Sequence, residues 1–171
     1  GPIGLGTIAA SVAKGARVIV AEPSADRVAI AQRLGADVSV DPTADSFLDE
    51  VLDLTAGVGA SVVFEASGKP QAMASALETA AFRARLVYIG IDVGGSAQAK
   101  MGMFQSKELQ ARGIIGSPGV WPQTIEFLSR TGIDLSPLVT SSFPLVEADQ
   151  AIQTVLDDKS QVKVHYVSEA S

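Results

Sequence analysis

The 171-residue sequence has no cysteine and a single histidine, His165. Neither a disulfide framework nor a cysteine nucleophile can be built from it. A zinc site takes three or four Cys, His or carboxylate ligands, and the usual set is missing from these residues. Aromatic residues make up only 5%, and 13 Lys and Arg against 19 Asp and Glu leave a formal net charge of −6. Nucleic acids are bound through clustered Lys and Arg that release counterions, so this composition argues against a nucleic-acid partner. No apolar run approaches the roughly 18 residues of a membrane helix, and no charged-then-apolar signal segment opens the chain. The expectation is a cytoplasmic protein with no membrane partner. Its length suits one ordinary domain, or one domain plus a fragment.

What is present is 47% hydrophobic and 19% charged, arranged as short β-branched runs alternating with longer helical segments. Residues 3–14 are apolar and rich in small side chains, which predicts a buried helix stopped by Gly15. Residues 16–22 read as a strand whose near-continuous apolar centre suits burial on both faces of a parallel sheet. Helices are predicted over 24–34, between a Ser24 N-cap and Gly35, over 45–55 and over 69–82; strands over 38–40, 61–65 and 85–91. Strands separated by helices of this length imply right-handed βαβ crossovers and a doubly wound α/β layer. Residues 92–103 are Gly-rich and read as a loop. After them come a strand over 109–116, a helix over 121–130, a strand over 138–143, a helix over 146–157 and an alternating strand over 162–167, with a soft boundary near 116–119.

The chemistry is carried by the opening Gly1-Pro2-Ile3-Gly4-Leu5-Gly6. Glycine at a strand-to-helix turn lets backbone approach a pyrophosphate, and the helix N-terminus offers free N–H groups and the positive end of its dipole. Glu22 ends the next predicted strand 18 residues after Gly4, against about 20 for the acid that binds the adenosine ribose hydroxyls. An acid there accepts from the ribose and repels a 2′-phosphate, favouring NAD over NADP. The competing reading of Glu22 is a solvated carboxylate at a strand end.

Together with Val18-Ile19-Val20-Ala21-Glu22-Pro23-Ser24, Arg27 and Leu34-Gly35-Ala36-Asp37, the opening resembles the coenzyme domain of the medium-chain dehydrogenase/reductase family, in its zinc-dependent polyol, butanediol and threonine dehydrogenase branch. Val62-Val63-Phe64-Glu65-Ala66-Ser67-Gly68, Val87-Tyr88-Ile89-Gly90, Lys107-Glu108-Leu109 with Arg112-Gly113, Pro137-Leu138-Val139-Thr140, Phe143-Pro144-Leu145 and Lys163-Val164 follow in family order. The likeness runs from Gly1 to about Val167. It implies a Rossmann-type doubly wound parallel sheet over 1–116, and over 117–171 a segment returning to a second, GroES-like catalytic domain.

Gly1 and Gly4 match the second and third glycines of the family motif, so the first glycine and its strand would precede residue 1. The sheet would then lack its first, central strand. The chain would be the coenzyme-binding half of a longer protein, inactive alone, with the catalytic zinc in the missing part. A self-contained six-stranded sheet would contradict this. The resemblance further implies Pro2 and Ile3 against the pyrophosphate and Arg27 on the adenosine. It implies Ala66 and Ser67 on the adenosine and nicotinamide ribose side, Ile89, Gly90 and Ile91 along the nicotinamide, and Ile114 and Gly116 approaching from the next strand. The alternative for the isoleucines is ordinary strand core. The 109–116 edge would pair with its twin in a homodimer or homotetramer, or else lie under a loop.

The implied activity is hydride transfer between a small-molecule alcohol or polyol and NAD. A zinc-free NADPH-dependent quinone or enoyl reductase of the same family is the alternative that Glu22 opposes. A nucleotide-sensing regulatory module leaves the tail after Ser117 without a purpose. Trp121 is expected to pack a helix start, or else to border the substrate cleft. His165 reads as a strand-surface histidine, and Lys107-Glu108 as a structural or solvated pair because neighbouring side chains point opposite ways.

Overall fold

In the computed structural model, which describes residues 1–168, Pro2 supplies the preset φ of a first helical turn to α1 (Pro2–Ala13), with Gly1 as its N-cap. The helix buries Leu5, Ile8 and Ala9 and ends at Lys14 before Gly15, whose φ is +78°. Strand β1 (Ile19–Ala21) leads to α2 (Ala25–Arg33). The Ser24 side chain caps α2 by accepting the Arg27 N–H, and Gly35 closes it at φ +94°. A Cβ on Gly35 would lie 2.9 Å from Val12 Cγ1, so this glycine also permits the close packing of α1 on the end of α2. Strand β2 (Val38–Val40) hydrogen-bonds to β1.

Helix α3 (Phe47–Leu54), β3 (Ala60–Glu65), α4 (Pro70–Thr79), β4 (Ala80–Tyr88), the short α5 (Met103–Ser106), β5 (Gln110–Gly113) and α6 (Trp121–Thr131) follow. β4 is the middle strand of the parallel sheet β3-β4-β5, with Val63 opposite Leu86 and Leu86 opposite Ala111. Leu77, Ala80, Ala81, Ala84 and Leu86 form its core, and Val63, Tyr88, Met103, Phe104 and Leu109 pack against them. The tail holds β6 (Val139–Pro144), α7 (Ala148–Asp157) and β7 (Lys163–Val167), with β6 and β7 paired in parallel.

The chain divides into two compact units, one of Gly1–Ser39 with the residues from Thr131 onward and the other of Val40–Arg130. In the first, Leu5, Ile8, Ala9, Ile30, Ala31, Leu34 and Ala36 make a core against which Ile133, Leu135, Leu138 and Val162 of the tail pack. The fold is α/β with parallel sheets. Among the described residues the strands form separate sheets of two, three and two rather than one of six.

Four expectations are corrected. The strand expected over 16–22 is only Ile19–Ala21, and it is not buried on both faces: it hydrogen-bonds to β2 alone and is half-buried or exposed along its length. The helix expected over 69–82 stops at Thr79, and β4 begins at Ala80. The Lys107 Nζ donates to the carbonyls of Leu77 (3.0 Å), Glu78 (2.9 Å) and Ala80 (2.7 Å), taking acceptors that another helical turn would need. Arg83, at φ +60°, donates its N–H to the Lys107 carbonyl. β4 ends at Tyr88 rather than 91, because the N–H groups of Ile89 and Gly90 both turn to the Glu65 carbonyl. α5 begins at Met103, the last residue of the expected loop, and the strand expected over 109–116 contracts to Gln110–Gly113, exposed throughout.

Candidate functional site

In the first unit, the start of α1, the end of β1 and the first turn of α2 bring Gly1, Glu22 and Arg27 together. Glu22 Oε1 accepts the Ser24 N–H at 3.1 Å and lies 3.9 Å from Arg27 Nη1, while Oε2 lies 3.8 Å from the Gly1 nitrogen. The Glu22 side chain is 15% exposed, which sets aside the solvated strand-end reading. Its Oε1 thus faces Ser24 and Arg27, and its Oε2 faces the start of α1.

Helix α1 has no acidic residue in its first turn and no side-chain cap, and the carboxylate beside its N-terminus is Glu22, 3.8 Å from the Gly1 nitrogen. A Cβ built on Gly1 meets no atom within 4 Å, so packing within the described residues does not demand glycine there. Arg27 Nε is buried with no hydrogen-bond partner, while its Nη2 reaches the Lys159 carbonyl only at 3.5 Å. A helix N-terminus without a side-chain cap, a mostly buried carboxylate beside it and an orphaned guanidinium nitrogen fit a dinucleotide of the NAD type.

In the second unit, Ala66, Ser67 and Gly68 turn the chain from β3 into α4 around the side chain of Glu65. That carboxylate, in a residue only 5% exposed, accepts the Ser67 N–H (2.8 Å), the Ser67 hydroxyl and the Gly68 N–H (3.1 Å to Oε1). The Glu65 carbonyl meanwhile accepts Ile89 N–H at 2.7 Å and Gly90 N–H at 3.1 Å. A Cβ on Gly90 would fall 2.0 Å from the Gly68 nitrogen, and one on Gly68 2.8 Å from the Ile91 nitrogen, so both positions require glycine. Tyr88 donates its hydroxyl to the Met73 carbonyl; burial, with the Glu65 charge adding to it, holds this phenol above its ordinary value.

The structure therefore brings Ala66, Ser67, Ile89 and Gly90 into one backbone cluster. Ile91 is 61% exposed, and Ile114, whose N–H extends the ladder to the Tyr88 carbonyl, is 43% exposed, so neither is strand core. Gly116 stands exposed at φ +64°. Pro2 and Ile3 are also exposed, on the first turn of α1. Trp121 opens α6 with 63% of its surface exposed, against the expectation that it packs the helix start. His165 is exposed on β7 as expected. Lys107 is structural, and Glu108 pairs with Arg83 at 2.7 Å.

Glu65 is the residue the site reading passed over. Its signal was a carboxylate directly before Ala-Ser-Gly at the end of an apolar strand, where burial demands a local set of donors. No group of three or more His, Cys, Asp or Glu that could hold a metal ion occurs among the described residues. A hollow of about 210 Å³ lined by Pro42, Phe47, Ser75, Glu78 and others contains none of the expected residues. No helix among the described residues is long and apolar enough to cross a membrane.

Comparison with known proteins follows the same lines. A family model described as zinc-binding dehydrogenase matches residues 2–130. The chain is 35% identical over 176 residues to scyllo-inosose 3-dehydrogenase of Thermotoga maritima, covering 99% of this chain and 44% of that protein. Its structure resembles 2R,3R-butanediol dehydrogenase from Bacillus subtilis with TM-score 0.86 and 30% identity, over 96% of this chain and 47% of the other. It also resembles a short chain alcohol dehydrogenase from Escherichia coli complexed with NADH, with TM-score 0.85 and 25% identity, over 96% and 49% of the two chains. The chain spans about half the length of the curated relatives it matches.

Proposed function

Because the chain belongs to the zinc-binding dehydrogenase family, we propose that it is the coenzyme-binding part of an NAD-dependent alcohol or polyol dehydrogenase. The observation that carries this reading is Glu22, a mostly buried carboxylate beside the N-terminus of α1, which has no side-chain cap. Glu22 accepts the adenosine ribose hydroxyls and disfavours a 2′-phosphate. The α1 N-terminus, with Gly1, Pro2, Ile3 and Gly4, receives the pyrophosphate, and Arg27 flanks the adenosine. In the second unit Ala66 and Ser67 serve the adenosine and nicotinamide ribose side, and Ile89, Gly90, Ile91, Ile114 and Gly116 the nicotinamide.

The nicotinamide, when bound, exchanges a hydride with the alcohol carbon. These residues bind and orient it, and none of them moves the substrate proton. The family's zinc lies in the part of the protein outside this chain, which alone is inactive. By resemblance, residues 1–116 belong to the coenzyme domain and 117–171 return to the catalytic domain. The exposed β5 edge pairs with its twin in a cytoplasmic homodimer or homotetramer.

The test is nucleotide titration of the protein as its gene encodes it, followed by nicotinamide fluorescence. NADH is expected to bind more tightly than NADPH, and Glu22→Ala to weaken NADH about tenfold or more, the loss of a hydrogen bond to a charged group, while narrowing the preference. Tight NADPH with weak NADH overturns the reading in favour of a zinc-free reductase. An unchanged preference in Glu22→Ala removes Glu22 from the site.

A further inference from the structure

Burying a carboxylate is unfavourable unless charge or hydrogen bonds replace its water. Glu65 is 5% exposed and forms no ion pair among the described residues. What replaces its water is the turn that follows it: the N–H and O–H of Ser67, and the N–H of Gly68, which reaches Oε2 as well at 3.2 Å. The same residue's carbonyl holds the N–H groups of Ile89 and Gly90. Five donors, from the turn after β3 and from the turn after β4, thus converge on one residue. Oε2 also lies 2.8 Å from where a Gly90 Cβ would sit, so only a glycine at 90 leaves room for the carboxylate beside the second turn.

We propose that Glu65 is a positioning residue for the nicotinamide end of the dinucleotide, fixing the turn 66–68 and the segment 89–91 relative to each other before the nucleotide arrives. The proposal rests on the coenzyme reading above and assigns Glu65 no contact with the nucleotide. A glutamine in its place keeps the volume and the carbonyl bonds to Ile89 and Gly90, but it removes the charge and sets an NH2 group where Oε2 meets the Gly68 N–H, so the side-chain half of the anchor weakens. The turn 66–68 then moves relative to the segment 89–91, and its ordering is left to the binding step.

The experiment compares NADH with AMP, which lacks the nicotinamide half, on wild type and Glu65→Gln by titration calorimetry. NADH affinity should fall about tenfold or more, while AMP affinity changes less than about threefold, because AMP keeps the Glu22 contact. General damage to the fold would weaken both nucleotides together. Hydrogen exchange on the wild type needs no variant. The amides of Ser67, Gly68, Ile89 and Gly90 should exchange as one protected group, and those of Ile89 and Gly90 should gain protection from NADH but not from AMP. Glu65→Gln binding NADH within twofold of wild type, or amides exchanging independently, overturns the inference alone. A wild-type protein that binds neither nucleotide overturns the coenzyme reading and the inference with it.

Discussion

Replacing Lys107 by methionine keeps an unbranched stem of similar length and removes only the ammonium. An ammonium has three donors, and Lys107 spends all three on backbone carbonyls, those of Leu77, Glu78 and Ala80, at 3.0, 2.9 and 2.7 Å. Leu77 and Ala80 are each 2% exposed, so the carbonyls stranded there have little access to water. An orphaned buried acceptor costs about 1–3 kcal/mol. The Glu78 carbonyl, on the more open side, rehydrates at little cost. Against this, burial pushes the Lys107 ammonium below its ordinary value, with Glu78 opposing, and methionine is spared that desolvation. The net expectation is a loss of about 2–3 kcal/mol. For a chain of this size that lowers the melting temperature by roughly 4–10 °C. Urea denaturation followed by circular dichroism measures the first figure, and a thermal scan the second. A loss below about 0.5 kcal/mol would mean that the three carbonyls are hydrated as well without the lysine as with it, and that the helix stop at Thr79 has another cause.

Two further outcomes follow from packing and charge. Leu86, fully buried in the central strand β4, should lose about 2–5 kcal/mol on replacement by alanine, measured by the same urea transition; a smaller loss would mean the surrounding side chains collapse into the gap. Asp41, Asp134 and Asp158 each accept hydrogen bonds from a Thr or Ser two residues on, which holds all three carboxyls below the ordinary carboxylate value. The folded state then binds these protons less readily than the unfolded chain. Their contribution is complete above the ordinary value near pH 4 and is lost as pH falls through the depressed ones. Urea midpoints should therefore be level on this account from about pH 5 upward and decline below about pH 4, and midpoints that rise on acidification would contradict the sign.

Elements bounded by local chemistry were legible in the sequence. Ser24 and Gly35 bracket α2 because a cap and a positive-φ stop act on their own neighbours. Glu22 stands out by its spacing from the opening glycines, and the structure brings Gly1 and Arg27 each within 4 Å of it. What escaped was set by distant partners. Ala80, Ala81 and Phe82 continue an apolar pattern compatible with α4, and what marks its end is a lysine side chain more than twenty residues along the chain. β1 carries the sequence of a strand buried on both faces yet has one neighbour. Glu65 read as the last residue of a strand, since nothing local reveals that the N–H groups of Ile89 and Gly90 return to it.

The core formed by Leu5, Ile8, Ala9 and Ile30 is covered by Ile133, Leu135, Leu138 and Val162, while Val40–Arg130 makes a unit of its own. Synthesis proceeds toward the C-terminus at about 5–20 residues per second, so α1 and α2 leave the ribosome well before the tail side chains that pack against their shared core exist. The core of the sheet β3-β4-β5 can form once β5 has emerged. Leu5 and Ile8 can meet Ile30, Ala31 and Leu34 early, but their cluster gains Ile133, Leu135, Leu138 and Val162 only over long sequence separations, the kind of contact that folds slowly. Within this stretch of chain α1 is thus made early and fully packed late, and chaperone capture of the nascent segment should fall on α1.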